Sequence, residues 1–145
     1  MQDFAHCIGV WGKRIMEQEN TQTQNKGSKK KHLGILLFTT PYSSENIDTA
    51  IKISRSALNK GHSVTIFAYG DSVHGFTKGQ KAKGITNAET EFIRLMDNGL
   101  KVELCGTCLN FRGIEDELII KGAEPSSMRN LCKLIDNCDR FLTFT

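Results

Sequence analysis

The sequence predicts a single α/β domain, an open and mainly parallel sheet of about five strands with helices on both faces. Residues 33–38 (LGILLF) form a continuous apolar run, which is typical of a strand buried on both faces. A segment with helical spacing and a β-branched strand follow, and a strand–helix–strand order of this length implies a right-handed parallel crossover. The length of 145 residues suits one such domain.

The first half of the domain is predicted as strand, helix, strand and loop. Residues 33–38 are expected to be the central strand, and residues 41–44 to supply a turn and the N-cap of a helix. Gly61 is expected to end that helix. Residues 63–69 (SVTIFAY) predict a second strand, and residues 71–86, which are polar and glycine-rich, predict a long loop.

The second half repeats the alternation of helix and strand. Asn87 is expected to cap a second helix that closes at Gly99, and a third strand is expected to end at Cys105. The remaining segments predict a short helical turn near residues 114–118, an apolar segment at residues 118–120, a helix over residues 126–136 and a last strand over residues 140–144.

Residues 1–31 are predicted to be a flexible N-terminal arm, and residues 32–145 the folded domain. Residues 17–31 contain no apolar side chain, so they have nothing to bury in return for becoming ordered. Phe4, Ile8 and Trp11 leave open a short docking helix before this linker, with disorder as the alternative.

The charge distribution argues against direct nucleic-acid binding. The net charge is +3, but residues 33–145 hold thirteen basic and thirteen acidic side chains, so the excess lies in the arm. A phosphate-binding groove needs a basic face on the folded domain. No apolar run is long enough to span a membrane and no secretory signal is visible, so the expected location is cytoplasmic, with the five cysteines reduced.

Cys105-Gly106-Thr107-Cys108 is the strongest chemical signal, because it follows the third strand at the edge where open α/β sheets bind ligands. Backbone N–H groups at such a turn can stabilise a thiolate, so Cys105 is expected to lie exposed in a crevice and to be nucleophilic near neutral pH. The alternative is an inert, buried strand residue. No dinucleotide or phosphate-binding glycine motif is present, so nucleotide binding through those motifs is not supported.

The CxxC spacing leaves three interpretations open. A redox disulfide is one, and a structural zinc site is another, although zinc needs a second ligand pair. Cys132 and Cys138 are poor candidates for that pair, because they are six residues apart and a helix turns them away from each other. The third is sulfur transfer, with Cys105 as the carrier and Cys108 as an optional partner.

Four segments give the chain a resemblance to the DsrE/DsrF-like family of sulfur-relay proteins: LGILLFTTPY, FAYGDSVHG, VELCGTCLNFRGIED and SSMRNLCKLIDNCDRFLTF. In the members DsrE and TusD, the persulfide-carrying cysteine precedes an Arg-Gly pair by seven residues. Cys105 stands seven residues before Arg112 in Arg112-Gly113, so the resemblance implies that Cys105 is the carrier. Cys108 is a departure from these members, shared with the YedF-type branch, and leaves open whether it regulates, resolves or replaces the persulfide.

Two further residues are site candidates through the resemblance. His74 follows the second strand, where DsrE has a histidine in an Asp-Gly-Val-His context, although Ser72 replaces the glycine here. It either steers the Cys105 proton or is an exposed loop histidine. Arg112 either stabilises a thiolate or persulfide by its charge or forms a surface salt bridge.

The resulting hypothesis is a sulfur carrier or sulfurtransferase that passes a cysteine persulfide between partner proteins without cofactor or metal. The resemblance implies TusA-like proteins or sister DsrE/DsrF-like subunits as sulfur donor and acceptor, and a homo-oligomer, either trimer or hexamer. Neither a membrane nor a nucleic-acid partner is expected. The alternative is a non-catalytic redox- or metal-responsive subunit that uses the Cys105/Cys108 pair to control partner binding.

Overall fold

The computed structural model describes residues 29–145. The predicted arm, residues 1–31, lies outside the described residues except for its last three positions. Its flexibility and the domain boundary at residue 32 therefore stay predictions.

Five strands, four α-helices and two short 3₁₀ helices make up the domain. The strands are β1 (His32–Leu37), β2 (Ser63–Ala68), β3 (Lys101–Cys105), β4 (Ala123–Ser126) and β5 (Arg140–Phe144). The α-helices are α1 (Asn46–Asn59), α2 (Ala88–Asp97), α3 (Gly106–Phe111) and α4 (Met128–Asn137). The 3₁₀ helices are Gly70–Phe76 and Asp116–Leu118.

The strands form one parallel sheet in the order β4-β3-β2-β1-β5, so the predicted fold class is confirmed. The prediction that residues 33–38 form the central strand is wrong by one position, because β2 is the middle strand and β1 lies beside it. The greater burial of β2 agrees with this order, since its residues from Val64 to Ala68 are all buried.

The order of the strands determines which face each helix covers. From β1 to β3 the chain moves in one direction across the sheet, so right-handed crossovers place α1 and α2 on the same face, where they contact each other. The return from β4 to β5 runs the other way and places α4 on the opposite face. Its Leu134 packs there against β1 at Gly34. The register puts Glu103 and Cys105 of β3 on this α4 face, with Thr65 and Phe67 of β2.

Most predicted helix ends are confirmed by the structure. Asn87 caps α2 by accepting a hydrogen bond from the Thr90 N–H at 3.0 Å. Gly61 and Gly99 follow the C-caps of α1 and α2 with positive φ angles, as glycine permits. The start of α1 differs from the expectation by one residue, since Glu45 holds the cap position, but Ser44 Oγ accepts a hydrogen bond from the Asn46 N–H at 3.4 Å.

Two short elements differ from the predicted order, and part of a predicted loop is helical. α3 and β4 were not predicted, and the predicted loop at residues 71–86 begins inside the first 3₁₀ helix. β4 contains Pro125, which argues against an interior strand but is tolerated here because β4 is an edge strand. Residues 118–120 form no strand of the sheet, and Ile119 makes only an isolated antiparallel bridge to Thr77. Within residues 29–145, no helix has the length and apolar composition needed to cross a bilayer.

Gly34 of β1 lies in close contact with α4 and β5 on the α4 face. A Cβ at this position would lie 2.8 Å from Phe141 Cδ2, 3.1 Å from Cys138 Sγ and 3.3 Å from Leu134 Cγ. We expect Gly34→Ala to lower the free energy of unfolding by about 1–3 kcal/mol, as overpacking does. Alanine also restricts the unfolded chain more than glycine does, which by itself would raise the free energy of unfolding by roughly 0.4–1 kcal/mol, and the loss from overpacking is expected to exceed this gain.

Urea denaturation of Gly34→Ala, Phe141→Val and the double variant measures this effect. Valine has no δ atom and so removes the Cδ2 that the new Cβ meets, so the double variant should lose less stability than the sum of the two single variants. Wild-type stability in Gly34→Ala would show that α4 and β5 move aside without cost.

Candidate functional site

Cys105 is the last residue of β3 and lies opposite Ser126, the last residue of β4. The chain turns into α3 at Gly106, where an added Cβ would lie 3.3 Å from the Ser126 carbonyl oxygen. Cys105 is only 2% exposed and belongs to the hydrophobic core. The expectation of a thiol exposed in a crevice is therefore wrong, because the neighbouring strand end and turn cover it.

An open depression of about 790 Å³ begins directly over Cys105. One wall is the start of α3, at Gly106 and Thr107, and the other is the end of β4 with the first residues of α4. The charged side chains that line it are Arg129 and Lys133, both exposed, and no acidic side chain lines it. The helix α4 begins here without a side-chain cap, so the positive end of its dipole adds to this field. Cys105 thus lines a depression whose charged lining side chains are both basic.

Burial raises the pKa of the Cys105 thiol above its ordinary value of 9.0, and the neighbouring Cys108 thiol raises it further. The backbone N–H groups of Cys108 and Thr107 lower the pKa, as the sequence suggested, but they do not outweigh burial. The expectation of a thiolate at neutral pH is therefore wrong. Cys105 rests as a neutral thiol.

The raised pKa of Cys105 predicts how the reactivity of its thiol changes with pH. In the folded protein, alkylation of Cys105 by iodoacetamide should keep rising about tenfold per pH unit from about pH 7 to beyond pH 9, because only the thiolate reacts. In urea-unfolded protein the rate should level off near the ordinary thiol pKa of 9.0. Fragment-ion mass spectrometry assigns the alkylation to Cys105, because Cys105 and Cys108 share one proteolytic peptide. A plateau below pH 8 in the folded protein would contradict the raised pKa.

Cys108 is also buried, but its sulfur faces a different part of the structure. Its Sγ accepts a hydrogen bond from the Gly70 N–H at 3.2 Å, at the turn that follows β2. Cys108 does not line the depression over Cys105. Both residues are free thiols, and their proximity is evident from the effect of Cys108 on the pKa of Cys105. The CxxC pair thus consists of one sulfur at the depression and one held behind it.

Arg112 forms the salt bridge that was one of its two predicted roles. Its Nε donates to Asp71 Oδ1 at 2.9 Å and its Nη2 to the same oxygen, while Nη1 donates to the Cys108 carbonyl oxygen at 3.0 Å. Arg112 does not line the depression. Its guanidinium ties α3 to the first 3₁₀ helix instead of facing the Cys105 sulfur.

We therefore expect Arg112→Met to lower the free energy of unfolding by about 1 kcal/mol, the scale of a partly exposed ion pair with a backbone hydrogen bond. Persulfide formation on Cys105 should stay within about twofold of wild type. The Arg112 guanidinium is paired with Asp71 and does not line the depression, so its charge should have little effect on the persulfide. Urea denaturation and mass spectrometry of the loaded protein measure the two effects. A loss of loading at full stability would show that Arg112 acts on the persulfide.

His74 lies on the first 3₁₀ helix with its side chain exposed. Among the described residues its ring makes no hydrogen bond, and it does not line the depression over Cys105. His74 is thus an exposed loop histidine, which was the second of its two interpretations, and it does not line the depression over Cys105.

Several residues at the site were not identified from the sequence. Ser126 Oγ lies 2.8 Å from Glu103 Oε2 and accepts a hydrogen bond from Asn130 Nδ2 at 2.9 Å, which fixes the end of β4 beside Cys105. Arg129 and Lys133 are the charged side chains in the lining of the depression. They stand more than twenty residues after Cys105 in the sequence, so the sequence does not connect them with the site. The pairing of β3 with β4 brings them to Cys105.

A metal site receives no support from the part of the chain that the structure describes. In residues 29–145, no group of three or more His, Cys, Asp or Glu side chains is arranged to hold a metal ion. Cys132 is exposed on α4 and Cys138 follows the end of that helix, so they supply no second pair for Cys105 and Cys108.

Comparison with known proteins identifies relatives that span the described domain. An uncharacterised protein of Methanopyrus kandleri is 29% identical over 110 residues, which is 76% of this chain and 91% of that protein. Protein YchN of Escherichia coli K12 is 29% identical over 107 residues, which is 72% of this chain and 91% of YchN.

Solved structures confirm the fold. The crystal structure of YchN from E. coli superposes with a TM-score of 0.69 at 27% identity, covering 80% of this chain and all of that one. A protein of unknown function from Bacteroides thetaiotaomicron gives a TM-score of 0.61 at 21% identity, covering 79% of this chain and 95% of that one, and it supports the fold alone. The family model of the DsrE/DsrF-like family matches residues 31–144. The chain therefore belongs to the DsrE/DsrF-like family.

Proposed function

We propose that this protein is a sulfur carrier in which Cys105 takes up sulfane sulfur as a persulfide and passes it to the thiolate of an acceptor protein. Membership of the DsrE/DsrF-like family supports a role related to sulfur relay. The observation that carries the proposal is the difference between the two CxxC sulfurs. Cys105 forms the floor of an open, positively charged depression, whereas Cys108 is held behind it by Gly70.

The geometry suits a persulfide better than a free thiol. At 2% exposure the Cys105 sulfur offers little surface to a reagent. A second sulfur bonded to it lies about 2 Å further out, because that is the length of an S–S bond. The transferable atom then stands in the depression, while the sulfur attached to the protein stays covered.

The positive charge of the depression also favours the loaded form. A persulfide anion in the depression lies near Arg129 and Lys133 and near the start of α4. Burial, in contrast, keeps the unloaded Cys105 as a neutral thiol. The site therefore stabilises charge on the outer sulfur more than on the Cys105 sulfur itself.

Transfer from such a site follows thiol–disulfide chemistry and needs no cofactor. The acceptor thiolate attacks the outer sulfur, and Cys105 leaves with the electron pair and is protonated again. Met128, which is 47% exposed and lines the depression, offers an apolar contact for a docking protein. By analogy with the family, the proposal includes a homo-oligomer, and it includes TusA-like proteins or sister DsrE/DsrF-like subunits as sulfur donor and acceptor.

A dithiol–disulfide switch is the second candidate, supported by the proximity of the two free thiols. In that case oxidation of the Cys105/Cys108 pair changes the turn between β3 and α3 and so controls binding of a partner. Cys108 would leave its hydrogen bond to Gly70 when the disulfide forms.

Mass spectrometry after incubation with a sulfane-sulfur donor tests the proposal. A gain of one sulfur, about 32 Da, that fragment ions assign to Cys105 and not to Cys108 supports the carrier. A loss of two hydrogens across Cys105 and Cys108 with no loaded species, even at the earliest times, would instead support the switch. Transfer of the bound sulfur to cyanide, measured as thiocyanate, shows that the loaded atom is sulfane sulfur.

A further inference from the structure

We propose that the depression over Cys105 binds a small anionic sulfane-sulfur donor of the thiosulfate class, and that Arg129 and Lys133 hold its anionic group. This inference rests on the proposed function and names the source of the sulfur. It assigns a binding role to two residues outside the CxxC sequence.

The charge pattern of the depression supports an anion. Arg129 and Lys133 are the charged side chains in its lining, and both are exposed, so their cationic groups reach solvent at its rim. They lie four residues apart on α4, which places them on the same side of the helix. In the described structure neither forms an ion pair, whereas Arg55, Arg94 and Arg112 do.

One acidic group lies near the site. Glu103 lies on the same face two residues before Cys105, and its Oε2 accepts a hydrogen bond from the Ser126 hydroxyl at 2.8 Å. Glu103 lines a neighbouring depression of about 560 Å³ on the α4 face and not the one over Cys105. The charged side chains in the lining of the depression over Cys105 are therefore both basic.

The resting state of Cys105 also favours a charged donor. A dianion approaching a thiolate is repelled, but burial keeps the Cys105 thiol neutral until it is about to react. A negative group held at the rim further places its sulfur over the floor of the depression, where the nucleophile lies.

The transfer step is a displacement at sulfur. The Cys105 thiol first loses its proton to solvent, and the thiolate then attacks the outer sulfur of thiosulfate. A new S–S bond forms between Cys105 and that sulfur, the S–S bond within thiosulfate breaks, and sulfite leaves with its electron pair. One persulfide anion and one sulfite form for each thiolate and thiosulfate, and no oxidant or reductant is needed.

Thiosulfate itself is the probe, with chloride adjusted to hold the ionic strength constant. Persulfide on Cys105 is measured by mass spectrometry and the released sulfite in parallel, and at early times, before Cys108 discharges the persulfide, the two should be equal in amount. We expect saturable loading of the wild type. In Arg129→Gln/Lys133→Gln the half-saturating thiosulfate concentration should rise at least about tenfold, equivalent to about 1.4 kcal/mol, with the saturated rate within about twofold.

Two matched double variants control for charge and for fold. Arg129→Lys/Lys133→Arg keeps both charges and should load like the wild type. Lys121→Gln/Arg140→Gln removes the same charge from exposed residues at the amino ends of β4 and β5, away from Cys105, and should leave half-saturation unchanged. Equal half-saturation in the wild type and Arg129→Gln/Lys133→Gln would overturn the anion site.

Chemical loading separates this inference from the proposed function. In a variant whose other four cysteines are replaced by Ser, Cys105 is converted to a mixed disulfide with 2,2′-dithiodipyridine, and hydrosulfide then displaces thiopyridone and leaves the persulfide. If this form donates sulfur to cyanide but the wild type does not load from thiosulfate, the small-anion donor is wrong and the carrier stands. If the chemically loaded persulfide donates nothing, the carrier itself is wrong.

Discussion

Replacing Cys105 with Ser is expected to reduce sulfur loading below detection, the largest effect of any single substitution in this protein. Ser keeps nearly the same volume but its hydroxyl cannot form a persulfide. Cys108 does not take over, because its sulfur faces Gly70 and not the depression from which the donor approaches. Intact mass after incubation with thiosulfate measures the result, with peptide mapping to locate any added sulfur.

The fold should survive this substitution with a measurable loss of stability. Cys105 is part of the core, so a hydroxyl in its place costs on the order of 1–2 kcal/mol. Cys105→Ala avoids the buried hydroxyl and should fold better while loading equally little. Cys132→Ser changes an exposed cysteine on α4 and should load like the wild type. Sulfur on Cys108 at the wild-type rate in Cys105→Ser would refute the carrier assignment.

The larger elements of the fold were predictable because each has a strong local signal. β2 is β-branched and aromatic, and α2 has both a capping Asn87 and a closing Gly99, so its ends follow from the residues alone. α3 and β4 have no such signal. α3 has six residues, too few for a periodic pattern, and β4 exists because β3 offers it a partner.

The candidate site was predictable only in part, for the same reason. The position of Cys105 at a strand end follows from the alternating apolar residues before it, and the family resemblance points to the same residue. Burial of its sulfur does not follow, because the cover comes from Ser126 and the start of α3. The pKa argument from backbone N–H groups was correct in sign for those groups and wrong in total, since it omitted desolvation.

The structure gives Cys108 features of an inert core thiol and also a position from which it could attack the Cys105 persulfide. Its sulfur is buried and held by the Gly70 N–H, as an inert core thiol would be. One observation favours activity, because Cys108 lies close enough to Cys105 to raise the pKa of that thiol.

We therefore expect Cys108 to discharge the persulfide when no acceptor is present. The Cys108 thiolate attacks the inner sulfur of the Cys105 persulfide, the S–S bond to the outer sulfur breaks, and hydrosulfide leaves as the Cys105–Cys108 disulfide forms. Replacing Cys108 with Ser removes the nucleophile and keeps a group that can accept the Gly70 N–H. The persulfide should then live on the order of tenfold longer or more, with hydrosulfide release and disulfide formation both suppressed.

Timed mass spectra of loaded wild type, Cys108→Ser and Cys108→Ala measure this lifetime, and hydrosulfide is assayed in the same samples. Both variants should keep the added sulfur, because neither can form the disulfide. Cys138→Ser, a half-buried cysteine after α4, should decay like the wild type. If all four proteins lose sulfur at the same rate, Cys108 has no resolving role and its sulfur serves only to pack the turn after β2 against α3.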